Sequence, residues 1–260
     1  MQKKTKCKSK VIKTDCLADG VYSLWLEAPV IVKAAKPGQF VSLYTKDEDK
    51  LLPRPISICE IDAQKGVLRF VYRVVGKGTT EFSQLQTGDE LEIMGPLGNG
   101  FPTEGKHAIL VAGGIGIPPM LELAKQIAGK VTVVVGYRDY QTFLADDLAK
   151  VADEVLIATD DGSVGTKGTV IDAMNEKADV LAGADVIYAC GPLPMLRGVK
   201  VYGEEKGITT YLSMEEKMAC GIGACLACVC QSTEVDSHSN VKNKRVCKDG
   251  PVFLSTEIEL

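Results

Sequence analysis

The sequence has 260 residues, 45% of them hydrophobic and 25% charged, a composition typical of globular proteins and unlike disordered or fibrous chains. A net charge of −4 does not attract the negatively charged phosphate backbone of a nucleic acid, so nucleic-acid binding is not expected. Residues 108–121 and 218–233, the two longest stretches without a charged residue or histidine, are too short to cross a membrane. No apolar stretch follows the basic N-terminus, which argues against a secretory signal and predicts a cytoplasmic protein. The lysines within the first 13 residues are expected to form a solvated chain end.

Residues 1–103 are predicted to form an antiparallel β-barrel, because short strand patterns alternate there with glycine and proline. The strand patterns are VYSLWLEA at 21–28, QFVSLYT at 39–45, RPISICEI at 54–61, VLRFVYRVV at 67–75 and ELEIMGPLG at 90–98. A short helix is expected to start near Thr79, which offers a hydroxyl N-cap. The glycines and proline of residues 95–100 mark the end of this region.

Residues 104–206 show strand patterns alternating with helix patterns, which is typical of a parallel sheet covered on both faces. In such sheets ligands bind beyond the carboxyl ends of the strands. Residues 207–260 form a third, small domain in this interpretation. They are too few to bury a core without a metal or a neighbouring domain.

Five of the nine cysteines crowd into a 28-residue stretch. The spacing Cys220-x4-Cys225-x2-Cys228, followed by Cys247, is that of the plant-type ferredoxin site, which predicts a [2Fe–2S] cluster. The small residues of ACGIGACLAC leave room for a loop to wrap the cluster. A structural zinc site is the alternative. The fifth cysteine, Cys230, is expected to be a buried spectator.

A glycine-rich turn follows the strand pattern HAILVA and precedes a helix pattern. Gly113, Gly114 and Gly116 would let the backbone approach a pyrophosphate at the helix N-terminus. Pro119 stands where the standard dinucleotide fingerprint has a third glycine, and proline is favourable at the start of a helix. A tight packing turn is the alternative interpretation.

A second turn, Cys190-Gly191-Pro192, follows the strand pattern DVIYA at a position where a nicotinamide could lie. Cys190 is either a buried strand residue or an active-site residue. Arg138, after the strand VTVVVGY, could meet the 2′-phosphate of NADP, whereas the adjacent Asp139 favours NAD.

Six motifs together point to a known family: RPIS at 54–57, VYR at 71–73, Gly78-Thr79, GGIGIPPM at 113–120, CGPLPM at 190–195 and the cysteine array. With these motifs, the whole chain resembles the ferredoxin-reductase superfamily. Within that superfamily it is most similar to the electron-transfer subunits of class B dihydroorotate dehydrogenase. The resemblance implies an FAD in the barrel, with Arg54 at the pyrophosphate, Ser57 at the reactive edge of the flavin, and Gly78 and Thr79 capping the pyrophosphate.

The resemblance also assigns the remaining site residues. The FAD residues would be Arg54, Pro55, Ile56, Ser57, Val71, Tyr72, Arg73, Gly78 and Thr79. The NAD residues would be Gly113, Gly114, Gly116, Pro119, Cys190, Gly191 and Pro192. Ser57 and Cys190 would face the reacting atoms, and the cluster ligands would be Cys220, Cys225, Cys228 and Cys247.

The function that the resemblance implies is an electron relay in pyrimidine synthesis. Electrons would pass from dihydroorotate to the FMN of a separate catalytic subunit, then through [2Fe–2S] and FAD to NAD⁺. The chain alone would not oxidise dihydroorotate, residues 206–260 would form the interface, and two copies of each subunit are expected. The alternatives are an NAD(P)H:ferredoxin-type or sulfide dehydrogenase-type reductase subunit and, from another class, a zinc-binding interaction module.

Overall fold

The computed structural model describes residues 4–46, 51–235 and 240–260, and Lys3 of the N-terminal lysines lies outside them. The first third of the chain is a closed antiparallel barrel with strand order β1-β2-β5-β4-β3-β6. Its strands are β1 (Thr5–Ala18), β2 (Val21–Glu27), β3 (Phe40–Tyr44), β4 (Arg54–Asp62), β5 (Val67–Arg73) and β6 (Glu90–Leu97). Two short helices, α1 (Pro29–Val32) and α2 (Lys77–Ser83), accompany them. The predicted barrel is confirmed.

Strand β1 was not expected from the sequence. The N-terminal lysines alternate with smaller residues, so Lys6, Lys8 and Lys10 point to solvent while Ser9 and Val11 are buried. The lysines are solvated as expected, but they line the outer face of a barrel strand and do not form a loose chain end.

Helix α2 begins two residues before the expected start. Its N-cap is Gly76, and Thr79 is the third residue of the helix. The Thr79 hydroxyl accepts hydrogen bonds from the backbone N–H groups of Val75 (3.0 Å) and Gly76 (3.2 Å), so it caps the helix from inside.

The second region is a seven-stranded sheet of order β10-β9-β8-β7-β11-β12-β15, parallel except for β15. Its strands are β7 (His107–Gly113), β8 (Lys130–Tyr137), β9 (Glu154–Thr159), β10 (Thr166–Lys167), β11 (Val186–Cys190), β12 (Thr209–Ser213) and β15 (Val252–Leu254). Its helices are α3 (Pro118–Gln126), α4 (Ala145–Ala149), α5 (Val170–Glu176) and α6 (Leu193–Lys206). Both faces of the sheet are buried, which explains the near-continuous apolar strands of the sequence.

The last region shares the core of the sheet. Strands β12 and β15 belong to it by sequence but pair within the seven-stranded sheet. Val246, Phe253 and Ile258 pack into the same apolar cluster as β7 and β11, so the neighbouring domain supplies the core that this segment lacks. A small hairpin, β13 (Val229–Gln231) and β14 (Asn243–Arg245), completes it. The boundaries at 103/104 and 206/207 remain predictions. Across the described stretches, no helix has the length and apolar character needed to span a membrane.

Candidate functional site

Strands β4 and β5 separate at one end of the barrel. They pair with each other only over Ile58–Asp62 and Val67–Phe70. Beyond that point, residues 54–57 pair only with β3 on one side, while residues 71–73 pair with β2 on the other. An opening in the barrel wall therefore lies between the two segments that were predicted to contact FAD.

Arg54 and Gly78 lie against each other at this opening, as the sequence predicted for a shared pyrophosphate site. A Cβ atom on Gly78 would lie 2.6 Å from Arg54 Nε, so only glycine allows the guanidinium this position. The Arg54 Nη1 donates to the carbonyl of Leu52. The hydroxyl of Thr79 is occupied by the cap of α2, so this residue would act on a phosphate only through its backbone.

The side chains of residues 71–73 point in different directions. Val71 packs toward the nucleotide-binding sheet, whereas Tyr72 lies in the barrel core between Tyr22 and Phe82. The Tyr72 hydroxyl is buried and has no hydrogen-bond partner among the described residues, and burial raises its pKa. An unpartnered buried hydroxyl beside the opening fits a cofactor that would accept or donate its hydrogen bond. Arg73 is exposed and lines the cleft described next.

The two predicted dinucleotide turns pack directly on each other. A Cβ atom on Gly116 would overlap the carbonyl oxygen of Cys190, and one on Gly191 would lie 2.6 Å from Met195 Cε. Gly113 also faces the Met195 sulfur, where a Cβ atom would lie 2.8 Å from Sδ. Glycine therefore allows the close approach of the two turns at these three positions, which fits the alternative interpretation of the sequence, a tight packing turn.

A cleft of about 700 Å³ opens between the barrel and the carboxyl end of the sheet. Of the predicted NAD residues, Gly113, Gly114 and Pro192 line it, whereas Gly116 and Pro119 are buried behind it. The cleft walls also include Ala18, Asp19, Val21, Arg73, Arg138, Asp139, Gln141, Asp160 and Met195. Its size and its place at a sheet end suit a dinucleotide.

Arg138 and Asp139, the two residues that the sequence offers for cofactor selection, both reach the cleft. The Asp139 carboxylate accepts the backbone N–H of Gln141 at 2.9 Å. The Gln141 side chain in turn accepts the backbone N–H of Asp19 in the barrel, also at 2.9 Å. This link across the cleft was not visible in the sequence, because nothing local couples residues so far apart in the chain.

Cys190 ends strand β11, directly opposite Ser213 of the neighbouring β12. Burial raises the pKa of the Cys190 thiol to about 12, despite the opposing effect of Ser213. The thiol is thus protonated at physiological pH and would meet a nicotinamide as a neutral, polarisable group.

The four cysteines of the array form two pairs. The Cys225 thiol lies close enough to Cys220 to lower its pKa, and the backbone N–H of Cys247 donates to Cys228 Sγ at 3.4 Å. Within residues 4–46, 51–235 and 240–260, no three His, Cys, Asp or Glu side chains converge as ligands of one metal ion. Each iron of a [2Fe–2S] cluster keeps two terminal positions beside the bridging sulfides, so two thiol pairs fit that group.

The loop around Cys220 supplies hydrogen bonds as the glycine-rich sequence predicted. The backbone N–H groups of Ile222 and Ala224 point to Cys220 Sγ at 3.5 and 3.3 Å. Burial alone would raise the pKa of Cys220, but these donors and the Cys225 thiol lower it to about 6. Gly221 and Gly223 have φ of +67° and +86°, which lets the loop turn around its sulfur atoms. Cys230 is buried, as expected.

The cysteine loop also touches the barrel, a contact that the sequence did not reveal. A Cβ atom on Gly221 would lie 3.1 Å from Ser42 Oγ of β3 and 3.4 Å from Leu97 Cδ1 of β6. Ser42 is paired in register with Pro55 of β4. The cysteine loop therefore lies one strand away from the predicted flavin segment.

Comparison with known proteins agrees with these three sites. Three family models match the chain in order: an oxidoreductase FAD-binding domain over 16–101, an oxidoreductase NAD-binding domain over 110–201, and the iron-sulfur cluster binding domain of dihydroorotate dehydrogenase B over 215–259. A chain of the NADH-dependent reduced ferredoxin-NADP oxidoreductase structure is 30% identical, with a TM-score of 0.85 over 96% of this chain and 89% of that one. These matches define an oxidoreductase chain that binds FAD, NAD and an iron–sulfur cluster.

Two curated relatives narrow the family. The dihydroorotate dehydrogenase B (NAD(+)) electron transfer subunit of Geobacillus sp. (strain WCH70) is 42% identical over 96% of this chain and 97% of its own length. The subunit of the same name from Listeria monocytogenes serotype 4b (strain F2365) is 44% identical, covering 96% and 98%. The chain belongs to the family of dihydroorotate dehydrogenase B electron transfer subunits, which confirms the resemblance seen in the sequence.

Proposed function

We propose that this chain carries electrons between a dihydroorotate-oxidising, FMN-containing catalytic subunit and NAD⁺, through a [2Fe–2S] cluster and FAD, in pyrimidine synthesis. The observation that carries the proposal is the contact of the cysteine loop with β3 and β6 of the barrel, next to the flavin segment of β4. One-electron transfer requires close carriers, and this contact supports a short path between the two proposed sites. A nicotinamide exchanges two electrons as a hydride and the cluster exchanges one, so the flavin supplies the conversion between them.

The chain's own residues would bind and orient the carriers. Arg54 would supply positive charge for the pyrophosphate at the start of α2, where Gly78 leaves room for its guanidinium. Ser57 would face the reactive edge of the flavin from the end of β4 that does not pair with β5. On the nucleotide side, Gly113 and Gly114 line the cleft, and the neutral thiol of Cys190 lies behind them.

Substitution of Cys190 tests whether its thiol contacts the nicotinamide. We expect Cys190→Ala to slow FAD reduction by NADH about tenfold through misplacement of the ring, with FAD content unchanged. Because the pKa of Cys190 is about 12, the wild-type rate should not follow a thiol titration between pH 6 and 9. Anaerobic stopped-flow absorbance measures both, with Cys16→Ala as the exposed control thiol. Equal rates for Cys190→Ala and the wild type would leave Cys190 a buried strand residue.

The catalytic partner would dock on residues 206–260. Ile222 and Leu226 of the cysteine loop expose apolar side chains, 41% and 54% accessible, and Cys225 is exposed between them. An apolar surface around a one-electron carrier suits a partner that must come close to it. An assembly of two copies of each subunit is part of the proposal. So is a cytoplasmic location, which all nine cysteines support by being free in the described chain.

An NAD(P)H:ferredoxin-type reductase subunit is the second candidate. The similarity to the reduced ferredoxin-NADP oxidoreductase chain favours it, as does Arg138 in the cleft. The relatives that are 42–44% identical over nearly the full length favour the dihydroorotate system. Asp139, held at the same cleft wall by Gln141, favours NAD.

An anaerobic titration separates the two candidates. The purified holoprotein is reduced with NADH or NADPH, and with dihydroorotate before and after addition of an FMN-bearing dihydroorotate dehydrogenase catalytic subunit. We expect NADH to bleach flavin and cluster absorbance, and dihydroorotate to do so only with the partner present. Reduction by NADPH and ferredoxin without any response to dihydroorotate would support the second candidate. A colourless protein would contradict both.

A further inference from the structure

A group of charged side chains lies between the barrel and the nucleotide-binding sheet, outside the cleft, with Arg69 and Glu122 buried in it. Arg69 of β5 is only 8% exposed. Its Nη1 donates to Glu60 Oε2 at 2.5 Å and to Asp147 Oδ2 at 3.0 Å, while its Nε donates to Ser23 Oγ at 3.0 Å. Glu60 and Ser23 belong to the barrel and Asp147 to α4, so a single guanidinium joins the two domains.

Helix α3 is tied to the same place. Lys125 pairs with the second carboxylate oxygen of Glu60. Glu122, 4% exposed, accepts the backbone N–H of Ile61 at 2.8 Å and the Gln126 side chain at 2.7 Å. We refer to these residues as the interdomain charge cluster: Glu60, Arg69, Glu122, Lys125 and Asp147.

Burial makes this group different from the ion pairs at the surface. The exposed pair Lys6–Glu92 is about half accessible on each side, and such pairs contribute little to stability. Arg69 has two carboxylates and a hydroxyl around it, which offsets the cost of burying its charge. Burial would raise the pKa of Asp147, but hydrogen bonds from Arg69 and Lys150 outweigh it and lower the pKa. Removing Asp147 leaves the buried Arg69 with one carboxylate in place of two, and removing Arg69 breaks the link between Glu60 and Asp147.

Each element joined by the cluster also carries part of the functional site. Strands β4 and β5 hold the flavin segments at the ends where they separate. Helix α3 starts directly after the dinucleotide turn at 113–117. The loop before α4 supplies Arg138, Asp139 and Gln141 to the cleft. The cluster therefore fixes how the nucleotide side is placed relative to the flavin side.

We propose that Arg69 is a positioning residue: by holding β4, β5 and α4 together through Glu60 and Asp147, it sets the rate at which a hydride passes between nicotinamide and flavin. In that step NADH is oxidised, FAD is reduced, and the two electrons move with the hydride. The inference rests on the proposed function only for the existence of this transfer. Arg69 touches neither reactant and acts through the relative position of the two domains.

The test uses the full holoprotein with Arg69→Met, with Asp147→Asn, and with both. Anaerobic stopped-flow reduction over a range of NADH concentrations gives the limiting rate and the Kd for NADH. We expect each single variant to lower the limiting rate about tenfold while the Kd for NADH stays within about twofold and FAD content is unchanged. The double variant should lose little more than either single one, because both act through one contact.

Two further readouts separate positioning from general stability. Trp25 is the single tryptophan, and the Arg69 guanidinium lies 5.1 Å from its ring centre, so Arg69→Met should shift its fluorescence. Hydrogen exchange should accelerate in α3 and α4, since their tie to the barrel is weakened. Lys6→Met, which removes the exposed pair with Glu92, is the matched control and should change none of these quantities.

The outcomes are distinct. A wild-type FAD that NADH does not reduce would overturn the proposed function together with this inference. A reducible wild type, with folded variants that react at the wild-type rate per bound FAD, would overturn the inference alone. A lowered melting temperature with an unchanged rate would assign Arg69 a structural role only. If Arg69→Met fails to fold, Asp147→Asn decides, because it keeps the shape of the side chain.

Discussion

Replacing Cys225 with alanine is expected to remove the iron–sulfur absorbance and EPR signal while leaving FAD bound and reducible by NADH. Cys225 is exposed and pairs with Cys220, so its loss removes a ligand without opening the core. The cluster would lose one of its four thiolates. Electron transfer from the catalytic subunit to NAD⁺ should then fall by at least about 100-fold, the upper range for loss of an outer-shell partner of a metal ligand.

Cys230→Ala is the matched control for that variant. Cys230 lies in the same region but is buried and stands outside the predicted ligand set. Iron content, visible absorbance and NAD⁺ reduction with the catalytic subunit should match the wild type. Retention of a full cluster in Cys225→Ala, or its loss in Cys230→Ala, would show that the ligand set is wrong. Zinc in place of iron would support the alternative interpretation, a structural zinc site.

The sequence predicted most elements of the fold because their signals are local. Apolar runs bounded by glycine and proline gave the five later barrel strands, and alternating strand and helix patterns gave the nucleotide-binding sheet. The cysteine spacing and the glycine turns gave the candidate sites for the same reason. Strand β1 was not predicted because its outward lysines were interpreted only as a solvated charged segment. They are the solvent-facing residues of a strand in which exposed and buried side chains alternate.

What the sequence did not reveal depends on contacts between distant residues. Three such contacts can be seen only once the fold is known. Strand β15 pairs with β12, Gly221 contacts Ser42, and Gly116 lies close against the Cys190 carbonyl. Arg69 had one local signal, a charged residue inside the apolar strand VLRFVYR. That pattern indicates a buried charge with a partner, but the partners come from β4 and α4.

The two glycine turns depend on each other, and Gly116 is the most sensitive of their glycines. A Cβ atom there would overlap the Cys190 carbonyl, a backbone group that has no freedom to rotate away. By contrast, a Cβ atom on Gly113 would meet side chains, the flexible Met195 at 2.8 Å and Pro192 at 3.3 Å. We therefore expect alanine at Gly116 to slow FAD reduction by NADH more than alanine at Gly113, because a backbone carbonyl yields less than a side chain.

Gly116→Ala is accordingly expected to slow FAD reduction by NADH about 100-fold, since a displacement on the order of 1 Å between the turns misplaces the nicotinamide. The overpacking should also destabilise the fold by about 1–3 kcal/mol. Anaerobic stopped-flow absorbance, FAD content and thermal unfolding measure these effects.

Gly113→Ala should show an intermediate rate, and it keeps the series informative if Gly116→Ala does not fold. Gly183→Ala is the control: its φ is +78° with no atom near a Cβ, so backbone strain costs about 1–2 kcal/mol without touching the turns. A folded Gly116→Ala that reacts with NADH as fast as Gly183→Ala would show that the close packing of the two turns does not position the nicotinamide.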